Sequence, residues 1–411
     1  MLIRFSFANF KSFKNENCLD MEATSLKEHD YNVLKTSNGD FLKVSAIYGA
    51  NASGKTNVLE AFYYMKKKVL ISDDSKINLL GNDEDVYTFM INNKPISFEV
   101  EILAKNNKIY KYGFEIVNDI IVSEWLYEKK INKFYTIFDR KDNDIKLKGE
   151  KNKLLPYVNI NEKSLFLSAY FRIDNKNEDF KNVYEWFINA YYLNLGNPSI
   201  ENSLNSKISA NILEDNKYKK ELLTFIKTFD ATIDSINTTP KSISELKNTN
   251  GIVKIELVHR GENNTKTALP LELESNGTLK MLHLFDFLMD SLRNGAVLFV
   301  DELDAKLHPL LTKYIINLFH NSDKNVGNGQ LIYSTHDTVN LNKDIFRRDE
   351  IWFVEKDMYG VSVLYSLSDY EIEDENGNAK KIRNDATYNK DYLTGRYGAI
   401  PILKEFQINA K

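Results

Sequence analysis

Three kinds of hydrophobic spacing run along the chain. Alternation of apolar and polar residues opens it, after Met1-Leu2, in Ile3-Arg4-Phe5-Ser6-Phe7, returns in Ser97-Phe98-Glu99-Val100-Glu101-Ile102 and Tyr110-Lys111-Tyr112-Gly113-Phe114-Glu115-Ile116, and is looser in Lys133-Phe134-Tyr135-Thr136-Ile137-Phe138. A period of two sends successive side chains to opposite faces, so these segments predict half-buried antiparallel strands, with their Tyr and Phe as packing residues. Short continuous runs are the second kind: Val44-Ser45-Ala46-Ile47-Tyr48, Ala296-Val297-Leu298-Phe299-Val300 and Leu331-Ile332-Tyr333. Strands covered on both faces of a parallel sheet read this way. Helical spacing follows the first run, at Val58-Leu59-Glu60-Ala61-Phe62, and dominates residues 161–235, as in Tyr184-Glu185-Trp186-Phe187-Ile188. The pattern predicts an α/β chain with a mixed central sheet, an antiparallel β lobe and an inserted, mainly helical subdomain. Residues 1–90 and 265–411 are the expected core, and 91–264 the inserted lobe.

Composition narrows the class. The 411 residues are 43% hydrophobic and 27% charged, enough for a large core, and no Pro/Gly/Ser-rich linker divides them, which favours one domain carrying an insertion. A net charge of −4 argues against indiscriminate nucleic-acid binding and leaves a local basic patch open; Lys66-Lys67-Lys68 reads as a solvated helix face. The single cysteine, Cys18, excludes an internal disulfide and a cysteine-based zinc cluster. No run approaches the roughly 18 to 20 apolar residues needed to span a bilayer, and the N-terminal strand lacks a signal-peptide core. A cytoplasmic protein without a membrane partner is expected.

Candidate chemistry starts where the first apolar run ends, in Gly49-Ala50-Asn51-Ala52-Ser53-Gly54-Lys55-Thr56. The spacing is G-x-x-x-x-G-K-[ST] between a strand and a helix, the context a phosphate-binding loop requires. Gly49 and Gly54 let the backbone curl so that the N–H groups of Asn51, Ala52 and Ser53 turn inward, and the helix adds its positive N-terminus. Lys55 reaches the terminal phosphates of ATP, Thr56 ligates Mg²⁺, and Asn57 follows within reach of the nucleotide. The second run ends in Asp301-Glu302. Behind a phosphate loop, Asp301 holds Mg²⁺, and Glu302 orients or deprotonates the attacking water. The third run ends in Ser334-Thr335-His336, where the imidazole can hydrogen-bond the γ-phosphate.

Together these elements resemble the compact, coiled-coil-free branch of the ABC-type ATPase heads, the AAA15/AAA21 group related to RloA, OLD, RecF, Rad50 and SMC proteins. The resemblance implies a P-loop NTPase fold of the ABC-ATPase head type. Asn9-Phe10-Lys11-Ser12 resembles that group's N-F-[RK]-S turn, which implies nucleotide contacts from Lys11 and Ser12; without the resemblance it reads equally as a surface turn. Glu302-Leu303-Asp304-Ala305-Lys306-Leu307-His308-Pro309 resembles the extended D-loop, bringing in Asp304, and Ser275-Asn276-Gly277-Thr278 falls where the group carries its signature. By that likeness Ser275 and Gly277 contact the nucleotide of an opposite subunit, in a homodimer closed by sandwiched ATP or a higher homo-oligomer built on it, although Asn276 departs from the usual small residue. No signalling glutamine is recognisable between the P-loop and the signature. Tyr392 to Pro401 resembles the group's C-terminal segment.

The resemblance also implies a setting. Such ATPases occur in bacterial antiphage and abortive-infection systems, as ATP-switched sensors acting with a separately encoded effector, often a Toprim-type or RloB-like nuclease. A DNA-maintenance ATPase clamping DNA as RecF does is the alternative, and a transporter's nucleotide-binding subunit is disfavoured by the N-F-K-S start and the missing L-S-G-G.

Overall fold

A computed structural model describes residues 1–71, 94–148, 155–158, 160–194, 211–212, 215–239, 254–373, 379–382 and 386–401. The expected boundary at residue 90 lies outside them. The alternating segments become one sheet: β1 (Leu2–Ala8), β2 (Asn17–Asp20), and, after the small hairpin of β3 (Val33–Thr36) and β4 (Gly39–Leu42) and the P-loop strand β5 (Val44–Gly49), β6 (Ile96–Leu103), β7 (Ile109–Val117), β8 (Ile120–Lys130), β9 (Lys133–Lys141) and β10 (Asp144–Leu147). Its order is β10-β9-β8-β7-β6-β1-β2, antiparallel throughout, so the first strand of the chain is also a strand of the β lobe.

The buried runs build a second sheet. Strand β11 (Ala190–Asn194), then β12 (Ile233–Thr239), β13 (Lys254–Arg260) and β14 (Lys266–Pro270) of a separate three-stranded sheet, precede β15 (Val297–Asp301), β16 (Gln330–Ser334), β17 (Ile351–Lys356) and β18 (Ser362–Ser366). The central order is β11-β15-β16-β5-β17-β18, parallel except for β18. Residues 190–194 fall inside the expected inserted lobe, yet they supply an edge of this sheet.

The period of two shows directly in the packing. Phe299, Ile332 and Val354 face one apolar core with Phe5, Phe62 and Phe98; Leu298, Tyr333 and Phe353 face the other with Met281, Phe285 and Ile315. The first core is closed by the antiparallel sheet, α1 (Lys55–Ile71), α2 (Phe166–Ile173) and α3 (Glu178–Asn189); the second by α4 (Asn216–Lys227), α5 (Asn276–Asn294) and α6 (Pro309–His320). The Phe62 ring on α1 stacks on Phe299 with centroids 3.8 Å apart. Gln330 ties the two sheets: its Oε1 accepts from Leu2 N at 2.6 Å, and its Nε2 donates to Leu2 O and Leu42 O. A layered α/β unit results, and the carboxyl ends of five adjacent parallel strands meet along one edge, where such sheets bind ligands.

Candidate active site

At that edge the chain turns from β5 into α1 through residues 50–54. Gly49 has φ +156°, and a Cβ on it would fall 2.4 Å from Val354 O; Gly54 has φ +115°, and a Cβ there would fall 2.8 Å from both Ser12 Oγ and Ser362 Oγ. Neither place admits a side chain. Lys55 Nζ donates to Gly49 O at 2.9 Å and Ala50 O at 3.0 Å, so the loop wraps its own ammonium. Burial lowers the Lys55 pKa to about 8, against the opposing pull of Asp301, Glu302 and Asp304.

The acidic pair meets the loop from β15. Thr56 Oγ1 donates to Asp301 Oδ1 at 3.3 Å, and Ser334 Oγ on β16 donates to the same oxygen at 2.5 Å. Burial raises the Asp301 pKa while these hydroxyls oppose it. Glu302 is exposed, with φ +52°, a left-handed backbone that reverses the chain after the strand. Its N–H donates to Ser334 Oγ at 2.8 Å. Asp304 accepts from His336 N at 3.3 Å, and desolvation, with Lys55 nearby, lowers the imidazole pKa. A cleft of about 840 Å³ is lined by residues 51–57, Glu302, His336 and Lys356. A smaller cavity, about 320 Å³, lies at the opposite strand ends against Trp186 and Ala296, away from these groups.

Ser12, buried, lies beneath the loop: Asn57 Nδ2 donates to its Oγ at 2.8 Å, Ser362 Oγ hydrogen-bonds the same atom at 2.8 Å, and Ser362 N donates to its carbonyl at 2.7 Å. Lys11 instead pairs with Glu60 on α1 at 2.7 Å and does not line the cleft. Ser275 caps α5, its Oγ accepting from Thr278 N at 3.1 Å, and Gly277 packs near Lys306 O. Neither borders the cleft of its own chain.

Three residues that sequence reasoning passed over stand here. Lys356 ends β17, whose register sets Val354 beside Gly49, and brings a cation to the cleft. Asn194 ends β11 directly opposite Asp301, a carboxamide near the strand end where no glutamine was found. Lys280 on α5, nearly fully buried, donates to Glu302 O at 2.8 Å and Ala305 O at 2.7 Å.

The donor set suits a nucleotide with Mg²⁺. Ser53 Oγ is buried without a hydrogen-bond partner among the described residues, inside the loop. Thr56 and Asp301 offer hard oxygens, while no group of three or more His, Cys, Asp or Glu among the described residues forms a metal cage of its own. That fits an ion completed by substrate phosphates and water.

The sequence profile of the family described as AAA domain, putative AbiEii toxin, Type IV TA system matches residues 44–342, over two thirds of the chain and the whole path from P-loop to His336. The chain belongs to this AAA21 family. As the sequence resemblance implied, this AAA21 protein is an ATPase with a P-loop α/β fold. It is 22% identical to an ATP/GTP phosphatase of Helicobacter pylori, over 88% of this chain and 97% of that protein. Among solved structures it is similar to the SMC head domain from Thermotoga maritima (13% identity, TM-score 0.43, 89% of this chain and 98% of that one). It is likewise similar to the recombination mediator RecF (14% identity, TM-score 0.39, 89% and 98%). No helix among the described residues is long and apolar enough to cross a membrane.

Proposed function

We propose that this AAA21 ATPase is a cytoplasmic, ATP-switched homodimer that senses infection and scaffolds a separately encoded effector, a Toprim-type nuclease being the candidate. One observation carries the switch: each cleft is lined by the phosphate loop, Glu302 and His336, with Asp301 buried behind Thr56, while Ser275 and Gly277 sit outside it at the exposed start of α5. A second copy facing the cleft supplies them. The abortive-infection setting is supported by the family's description as a putative AbiEii toxin of a type IV toxin–antitoxin system.

In hydrolysis, Lys55 leaves its loop carbonyls for the terminal phosphates, and the backbone N–H groups of residues 51–54 bind their oxygens. Thr56 and Asp301 would hold Mg²⁺, whose charge lowers the cost of the developing phosphate anion. Glu302 accepts the water proton as the new P–O bond forms and the bond to the ADP oxygen breaks. His336, neutral, holds a γ-phosphate oxygen. Once that phosphate leaves, the contacts from Ser275 and Gly277 of the facing copy lose their partner, and the dimer loosens. The 91–264 lobe is the proposed docking region for the effector.

Light scattering of Glu302→Gln tests the switch: a dimer is expected with ATP, a monomer with ADP, and a monomer with ATP after a further Ser275→Arg change. Association indifferent to nucleotide would refute it. Co-expression with the neighbouring gene product tests the effector; no copurification, together with steeply salt-dependent binding of duplex DNA, would instead favour a DNA clamp.

A further inference from the structure

Lysines are rarely buried, and Lys280 is 5% exposed. Its ammonium makes two short hydrogen bonds to carbonyls of one turn, those of Glu302 and Ala305. Glu302 O also accepts from Ala305 N at 3.0 Å, so the turn that follows the acidic pair is closed by its own backbone and clamped from outside by this side chain. The clamp holds a strained place, because Glu302 and Lys306 both lie in the left-handed region, at φ +52° and +62°. Bulky L-residues adopt that backbone at a cost and keep it only when neighbours fix it. On the other side, Glu302 N is fixed by Ser334 Oγ, which also binds Asp301. Lys280 lies five residues into the helix that Ser275 caps, and the same turn runs past Gly277, whose Cβ position is 3.5 Å from Lys306 O.

We infer that Lys280 is a positioning residue for hydrolysis, joining the start of α5 to the backbone that aims the Glu302 carboxylate. This rests on the reading of Glu302 as the water-activating group. A rigid link of this kind makes a contact at Ser275 or Gly277 felt at Glu302 of the same chain, so engagement of the facing copy sets the turnover of each site. Direct contact between Lys280 and the nucleotide is not involved, since Lys280 does not line the cleft.

The test compares Lys280→Met, which keeps length and burial and removes the donors, with Lys280→Arg, which keeps donors, and with Glu302→Gln as the control. Expected for Lys280→Met is a fall in kcat of roughly ten- to a hundredfold, the scale of an ångström-size misplacement of a reacting group. The affinity for ATP and the melting temperature stay near those of the parent, and Lys280→Arg recovers a substantial part of kcat. Unchanged kcat in Lys280→Met while Glu302→Gln is inactive overturns the inference alone. Loss of kcat only in proportion to lost folding or ATP affinity overturns it as well. Turnover surviving Glu302→Gln overturns the reading of Glu302 and the inference with it.

Discussion

A single methyl group added at Gly54 should cost nucleotide binding far more than it costs the fold. Gly54 has φ +115°, and an alanine Cβ would lie 2.8 Å from Ser12 Oγ and from Ser362 Oγ. Those hydroxyls cannot step aside freely: Ser12 Oγ accepts from Asn57, and Ser362 Oγ hydrogen-bonds both Ser12 Oγ and Ser53 O. A non-glycine residue in such backbone costs about 1–3 kcal/mol. Losing two of the hydrogen bonds costs about 0.5–1.5 kcal/mol each, so the total is about 2–6 kcal/mol. Without nucleotide the loop can relax outward and escape much of this, whereas binding requires the tight curl. At about 1.4 kcal/mol per tenfold, affinity for ATP should fall at least about 30-fold. Calorimetric titration with ATP and Mg²⁺ measures the loss, and the melting temperature serves as the control. Ser362→Gly in the same background removes one obstruction and should restore part of the affinity. An alanine variant that binds ATP within about threefold of the parent would refute the argument that the cradle must stay closed.

Gly277→Ala should leave the isolated chain as stable or more so, by up to about 1 kcal/mol from helix propensity, yet abolish the ATP-dependent dimer of Glu302→Gln in light scattering. The His336 imidazole has a lowered pKa, so as pH falls the unfolded chain takes up this proton before the folded one does. Its linked stability is therefore constant above its ordinary value of about 6.5 and is lost below it. Melting curves of His336→Gln and the parent should run parallel at pH 7–8.5, and the variant should gain on the parent below about 6.5; parallel curves throughout would refute the assignment.

What the sequence made legible follows from the reach of each signal. Strand alternation needs only neighbouring residues, and Leu2–Ala8 and Ile96–Leu103 were visible as strands. Their pairing across some ninety residues was not, which is why the N-terminal strand was assigned to the core alone. The P-loop, Asp301 and Glu302 are local motifs and were readable. Their mutual geometry comes from parallel pairing of β15 with β16 and of β16 with β5, which hides in the uniform apolar character of all three runs. Ser362 supports Ser12 from 350 positions away, with no local mark. Lys280 did leave a trace: with Leu284 and Leu288 it falls on the buried stripe of α5, where a lysine is out of place and asks for partners. Lys356 left one too, as the charged end of an apolar run shaped like the other three. Asn194 was obscured because a glutamine was sought and the strand that carries it, an edge of the sheet with only Ala190 and Leu193 buried, lacks the continuous burial of β15 and β16.

The glycines separate what one chain explains from what it does not. Gly49 and Gly54 are required by their own protomer, since backbone angle and crowding both exclude a side chain there. Gly277 is different. It sits in the first turn of a helix, where glycine is worse than alanine, and a Cβ on it would meet nothing closer than Lys306 O at 3.5 Å, an ordinary contact. Nothing within the described protomer calls for glycine at 277. Ser275 points the same way: as the cap its Oγ accepts from Thr278 N and shares a hydrogen bond with Thr278 Oγ1 at 2.9 Å, and with Thr278 as the donor of that bond the Ser275 proton is left for an anion. An exposed helix start with a capping hydroxyl and a glycine its own chain does not need is what the proposed close approach of a second copy calls for. Anionic oxygens held by a facing P-loop are the group such a helix end attracts most.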